Sequence, residues 1–404
     1  MSILSVDHKF ESVTKHACAI SSCSTSICDF HVSLVVDIGS TSIRCSAFQY
    51  QYDTVHEISG TCFRSHASPL VDGTLDAQCA ANAVDSTISG CLSNLHRIIS
   101  NPFTVDAVGF SSLAMSLVGV HVSTSSAATK VFTYATPLPE CISSQNIFTP
   151  EEQDEHHKTT GTYIGHPSYA LVHMISYYCD HPVSIPAVKW QSLASYIIGR
   201  WTATYTDCPI SFSEASWWGL LDTNKKIWSH TALSRLSGLD VSDFLPCLSD
   251  IDQFEESLSQ EYKTKWTEMS KAKIFLGIGD GAAANIGSAA QCKLFGISSE
   301  ACITVGTSAA IRVIGSHHRV YDPIPGLWRY CVTGDLVIIG GALTDGGSLV
   351  EWFGNCFGIS ILEKSQEQHH ITVMELQASS TWIPTSCKNA YLNGNFIIIY
   401  KKST

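Results

Sequence analysis

The chain has no apolar run approaching the ~20 residues that a membrane-spanning helix needs, although 45% of its residues are hydrophobic. It is also poor in charge. Only 15% of residues are Asp, Glu, Lys or Arg, and that balance of apolar over charged residues belongs to a folded chain with a sizeable core, not to a disordered one. Basic residues are the scarcer kind, with 24 Lys and Arg against 36 Asp and Glu and a net charge of −12. The deficit argues against a general nucleic-acid surface, while leaving room for an anionic nucleotide held by backbone N–H groups and a metal. Paired C-x-x-C spacing is missing from the sixteen cysteines; Cys18, Cys23 and Cys28 are five apart, with no histidine at the spacing of a zinc site. Scattered cysteines of this kind read as reduced thiols of a cytoplasmic protein, without a disulfide framework.

What is present is a repeated device. Leu34–Phe48 reads as a strand, a tight Gly-Ser-Thr-Ser turn at Gly39, Ser40, Thr41 and Ser42, and a returning strand. Ala301–Ile314 repeats the pattern around Gly306, Thr307 and Ser308. Between them, Glu57–Phe63 is expected to add a strand, Ala77–Ile99 an amphipathic helix and Ala107–Phe110 a buried strand. Glu151–Lys158, Ser168–Tyr178, Lys189–Ile198 and much of Ser229–Lys271 are expected to be helical. Leu336–Gly341 is a further strand, running into a glycine-rich loop. The order of elements predicts an α/β fold. Residues 1–30 are expected to form a loose leader, 31–270 a first domain, 271–358 part of a second, and 359–404 a divergent tail.

Two hairpins of this kind facing across a cleft would offer N–H and hydroxyl groups to phosphates from both sides. Between them lies Lys273–Gly287, an apolar run, a Gly-Asp-Gly turn and a small-residue helix. Asp280 at that turn is either a helix cap, a favoured place for Asp, or a carboxylate delivered to the mouth of the cleft. Gly279 and Gly281 leave room beside it for a ligand.

At these residues the chain resembles the FGGY family of carbohydrate kinases, within the actin/hexokinase/Hsp70-like ATPases. Val36–Arg44 looks like the first phosphate motif, Gly277–Ser288 like the segment carrying the catalytic aspartate, and Ile303–Arg312 like the second phosphate motif. Gly340–Trp352 is similar to the adenosine-side loop and helix, and Gly109–Ser112, His166–Tyr169, Ser211–Ser216 and Gly219–Asp222 match in order between them. Gluconokinase-like members look nearest. The resemblance implies two RNase-H-like domains around an ATP–sugar cleft, with Asp280 as general base and Asp37 on Mg²⁺. Gly39, Ser40, Thr41, Ser42 and Arg44 would face Gly306, Thr307 and Ser308 around the phosphates, with Gly340, Gly341, Gly346 and Gly347 close to the nucleotide. Ser112, Tyr169 and Trp217 would join Asp280 around the substrate, a sugar or sugar acid such as gluconate or a pentulose. For Arg44 the alternative is a surface ion pair, and for Trp217 a place in the core. ATP and Mg²⁺ are the expected cofactors; neither nucleic acid nor a membrane is an expected partner, and a homodimer is allowed.

Two departures set a competing expectation. Family members run from a segment like Thr133–Ala135 into an Asp-x-Arg stretch that helps hold the sugar, whereas here Ala135–Pro139 carries neither charge and His121 stands where Asp is often found. Beyond about Gly358 the chain no longer follows the family, as a truncated second domain would read. Weak or absent catalysis, or a silent nucleotide- or sugar-binding protein, is the alternative expectation.

Overall fold

The computed structural model describes residues 30–40, 42–51, 54–66, 70–137, 149–163, 166, 168–181, 188–233, 244–294, 301–305, 309–317, 324–343, 373–374 and 398–399. The first sheet starts from β1 (Phe30–Ile38), whose alternation buries Val32, Leu34, Val36 and Ile38. β2 (Ser42–Gln51) returns antiparallel to it, with Asp37 opposite Arg44. β3 (Thr54–Glu57) and β4 (Phe63–His66) pair with the two ends of β2, so strands flank the Glu57–Phe63 stretch where one was expected. The backbone turns away from the sheet between them, where Gly60 takes φ 81°.

Helix α1 (Ala77–Ile98) covers one face of this sheet, burying a stripe that includes Ala81, Val84, Ile88 and Leu95. Asp76 caps it by accepting the Cys79 N–H at 2.9 Å. β5 (Phe103–Ser112) then runs parallel to β1. After the short strand β6 (Val118–His121) come α2 (Pro150–Thr160) and α3 (Ala170–Asp180). The Lys189–Ile198 stretch is split: β7 (Val188–Gln191) pairs with β6, and α4 (Leu193–Thr202) begins after the Ser192 cap. Trp190 in β7 is wholly buried, which an isolated helical period does not anticipate. α5 (Phe212–Ser216) is short, and of Ser229–Lys271 the described part is mostly irregular, with helices only at His230–Leu233 and Gln260–Lys265 and a single 3₁₀ turn at Thr267–Met269.

β8 (Lys273–Gly279) runs parallel to β5 and completes the first sheet in the order β3–β2–β1–β5–β8. The expected domain break at 270/271 therefore precedes a strand that hydrogen-bonds within the first sheet, and the passage to the second sheet runs through α6 (Asp280–Leu294). The apolar character of Ile274 and Leu276 is shared by both possibilities; only strand pairing separates them. The second sheet is antiparallel: β9 (Cys302–Val305), β10 (Ala309–Ser316), β12 (Leu336–Leu343) and β11 (Trp328–Cys331), adjacent in that order. Two-residue strands at Val373–Met374 and Ile398–Ile399 lie beyond β9. The leader up to residue 29 and nearly all of the 359–404 tail lie outside the described residues.

One buried carboxylate ties the first sheet's helix to the segment before β8. Asp85 on α1 accepts from Trp201 Nε1 at 2.9 Å, Tyr262 Oη at 3.2 Å and Lys265 Nζ at 2.7 Å. Asp85→Ala strands a buried indole N–H and should cost about 2–4 kcal/mol. Urea unfolding of the variant measures this; a midpoint equal to the parent's would show that the hub adds no stability.

Candidate active site

The carboxyl ends of β1, β5 and β8 lie side by side, the place where ligands meet a parallel α/β sheet. Register sets Asp37 beside Ser111, and Ser112 beside Gly279. Ser111 Oγ donates to Asp37 Oδ1 at 3.1 Å, and Arg44 Nε stands 3.9 Å from Asp37 Oδ2. Arg44 thus has the carboxylate as its neighbour, at the turn end of the hairpin. The turn that follows is closed by Gly39 N–H donating to Ser42 O at 3.0 Å, and the Ser42 side chain is buried. Gly39 and Ser40 are the partly exposed members of this turn, while Thr41 lies outside the described residues.

Asp280 is the first residue of α6, directly after β8, and its Oδ1 accepts the Gly281 N–H at 2.7 Å. The carboxylate is therefore both a local support of the helix start and the group that follows the carboxyl end of β8, the edge strand beside β5. Burial pushes its pKa above the usual aspartate range, and the charge of Asp37 acts the same way; the Gly281 and Ala114 amides and the Arg312 guanidinium oppose this. Arg312 comes from β10 in the second sheet and lies against Gly281, where an added Cβ would be 3.4 Å from its Nε. The two sheets thus bring a cation to a carboxylate.

The remaining expected residues are more enclosed. Trp217, the C-cap of α5, is 5% exposed and stacks on Tyr330 of β11 at 3.9 Å between centroids and 20° between planes. Tyr330 in turn stacks on Trp328 at 4.6 Å, and its hydroxyl meets that of Tyr169 at 2.7 Å. One face of Trp217 is therefore covered by protein, and Tyr169 is spent on the same aromatic group. Ser112 is wholly buried, and its Oγ and Trp217 Nε1 are both buried without a hydrogen-bond partner. Both sit against Gly279: Ser112 in the sheet register, Trp217 with Nε1 2.8 Å from where a Cβ there would be. Gly340 and Gly341 lie within β12 opposite Arg312 and Ile311. A Cβ on Gly340 would be 2.4 Å from Ile311 O and 2.7 Å from the Trp328 ring, so packing accounts for that glycine. Gly306, Thr307, Ser308, Gly346 and Gly347 lie outside the described residues.

No family model matches the chain. The gluconokinase of Bacillus subtilis (strain 168) is 25% identical over 343 residues, 82% of this chain and 61% of that protein. The gluconokinase of Bacillus licheniformis is 26% identical over 219 residues, 54% of this chain and 40% of that protein. Solved structures share the fold: gluconate kinase from Lactobacillus acidophilus with a TM-score of 0.66 and 22% identity, covering 80% of this chain and 62% of that one. Plasmodium falciparum glycerol kinase with ADP gives a TM-score of 0.67 at 15% identity, covering 82% and 65%. The chain is similar to these carbohydrate kinases. It spans less than two thirds of the length of the curated relatives it matches, 61% and 40%.

Three residues at the site escaped the sequence reading. Arg312 closes the second hairpin motif, but nothing in a single sequence says that β10 faces Asp280. Tyr330 has no motif around it. Glu214 sits inside the matched Ser211–Ser216 segment, where its charge reads as exposed, yet it is 6% exposed. A useful signal was present in the dense serines around it, which supply hydroxyls where a buried carboxyl needs them. Gly279→Ala would drive a methyl into the Trp217 indole, and should destabilise the protein by about 1–3 kcal/mol. Tryptophan emission should shift with it; unchanged emission and stability would mean that Trp217 has space to retreat.

Proposed function

We propose that the chain is an ATP-dependent kinase acting on a hydroxyl of a sugar or sugar acid, with Asp280 as general base. The placement of Asp37, Ser111 and Asp280 on adjacent strand ends, with Arg312 arriving from the second sheet, carries this reading. A base must be ionised to accept a proton, and burial alone would protonate Asp280. Arg312 and the two amides offset that tendency, leaving a carboxylate that is both basic and anchored. As the acceptor oxygen bonds to the γ-phosphorus and the bond to the ADP oxygen breaks, the hydroxyl proton passes to Asp280. Asp37 is a hard oxygen donor at the hairpin mouth, held by Ser111 and partly solvated, which suits a hydrated Mg²⁺. When bound, Mg²⁺ would neutralise phosphate charge. Ser40 and the second hairpin would bracket the phosphates. Gluconate leads as substrate because both curated relatives are gluconokinases; pentuloses and glycerol follow. The same reading places the protein in the cytoplasm.

One observation favours the alternative of a silent binding protein. Where the family places its Asp-x-Arg stretch, Thr133 Oγ1 and Thr136 Oγ1 both donate to Gly73 O, at 2.6 and 2.8 Å. These hydroxyls are committed to the loop, and sites that lack polar groups for substrate hydroxyls lose discrimination.

Coupled ADP-release assays over gluconate, xylulose, ribulose and glycerol separate the two readings. Asp280→Asn should lower turnover about 10²–10⁴-fold. Because the Asp280 pKa is raised, the acid limb of kcat/KM should lie above the ordinary aspartate range. Arg312→Met should move that limb higher still. Turnover untouched by Asp280→Asn would remove Asp280 from the mechanism, and no turnover with any acceptor would favour the silent protein.

A further inference from the structure

Beneath the strand that delivers Asp280 lies a carboxyl group that the phosphoryl-transfer reading does not use. Glu214 is on α5, between β8 and α4, and Ser192 Oγ donates to its Oε2 at 2.9 Å. A Cβ on Gly277 would be 2.7 Å from Oε2 and 2.8 Å from the Ala194 methyl, so β8 lies directly on the carboxyl group. α5 grips the same strand on both sides of this contact. Ser211 Oγ donates to Gly277 O at 2.5 Å, and Gly279 N–H donates to Ser213 Oγ at 3.2 Å.

Among the described residues no cation completes this arrangement. From α4 the carboxyl meets Ser192 and Ala194, while the one basic residue of that helix, Arg200, lies at its far end over Tyr196. β5 contributes the Ser112 hydroxyl, and β8 contributes Gly277, with Asp280 just past its end and Lys273 exposed at its start. The Cys208 thiol, pushed up to about 12 by burial, is the other titratable neighbour. A carboxylate sealed among hydroxyls and methyl groups pays a desolvation cost that no counter-ion returns. Burial accordingly pushes Glu214 up to about 7, against the smaller pull of the Ser192 hydrogen bond and of the nearby Ser112 hydroxyl, which makes no hydrogen bond of normal geometry.

We propose that Glu214 is a positioning residue that acts as a neutral carboxylic acid, a strut between α4 and β8 that sets where the Gly277–Asp280 strand end sits. Its ionisation would put an uncompensated charge under the strand, so the Asp280 turn holds its geometry only while Glu214 keeps its proton. The claim that this geometry matters for turnover rests on the kinase reading; the protonation state does not.

The linkage has a definite sign. The ordinary carboxyl value is 4.5 and the folded value is about 7, so between them the folded chain holds a proton that the unfolded chain has released. Stability from this group falls as pH rises through that window, by up to about tenfold in the folding constant per pH unit, and levels off above it.

Chemical unfolding of the full chain from pH 5 to 8, compared with Glu214→Gln and Glu214→Met, tests this without any turnover. Both variants should show a shallower decline than the parent between pH 5 and 7, and the pH-dependence of Trp217 emission, which reports α5, should weaken with it. A decline in Glu214→Gln as steep as the parent's overturns the proposal. Should neither variant fold, infrared spectra of the parent decide it: a buried neutral-carboxyl band at pH 6 that is gone by pH 9 supports the proposal, and its absence at pH 6 ends it. If the chain turns over a sugar, parental kcat should fall above pH 7 with KM unchanged, and Glu214→Gln should keep kcat. A null assay would count against the kinase reading and leave the unfolding result standing.

Discussion

The site depends on how the end of β8 is held. A strand that finishes in Gly277-Ile-Gly279-Asp280 has little side chain of its own to fix it, and two of its backbone groups are taken by serines of α5 and its cap. Ser211 satisfies the Gly277 carbonyl while capping the short helix through the Glu214 N–H, and Ser213 satisfies the Gly279 amide. The glycines are required because Glu214, Ala194 and Trp217 occupy the space where side chains would stand. Asp280 inherits its position from this contact.

The same short helix connects the two sheets. Ser216 Oγ accepts the Cys331 N–H at 3.1 Å, and Trp217 joins the stack with Tyr330 and Trp328. Asp250, before β8, accepts the Gly334 N–H at 2.7 Å in the turn between β11 and β12. Contacts of these kinds set Arg312 of the second sheet against Gly281, close enough for its charge to act on Asp280. Aromatic stacking and backbone hydrogen bonds fix direction more sharply than aliphatic contact does, which suits elements that must bring opposite charges together at a strand end.

Much of this was legible beforehand, for identifiable reasons. The Leu34–Phe48 and Ala301–Ile314 hairpins and the Leu336–Gly341 strand announced themselves by apolar alternation around small-residue turns, and each has its strands in the structure. Misreadings fell where period and burial disagree. Lys189-Trp-Gln191 merges by pattern with the helix after it, but pairing with β6 makes it a strand. The charged stretch after Ser229 suggested helices, yet its order comes from Asp250, Phe254 and Trp266 contacting other elements and from Tyr262 and Lys265 donating to Asp85 on α1.

The sequence alone determined the two hairpins, the carboxylate at the Gly-Asp-Gly turn and the ordered run of motifs, because turn chemistry and hydrophobic period are local properties. Tertiary structure alone decided that β8 belongs to the first sheet, that Trp217 and Tyr169 share an aromatic cluster with Tyr330, and that Arg312 lies against Gly281, where its charge acts on Asp280. It also decided that Glu214 is buried with no cation beside it among the described residues. Those outcomes rest on strand pairing and on low-dielectric contacts between segments far apart in the chain, and neither leaves a mark in the spacing of residues.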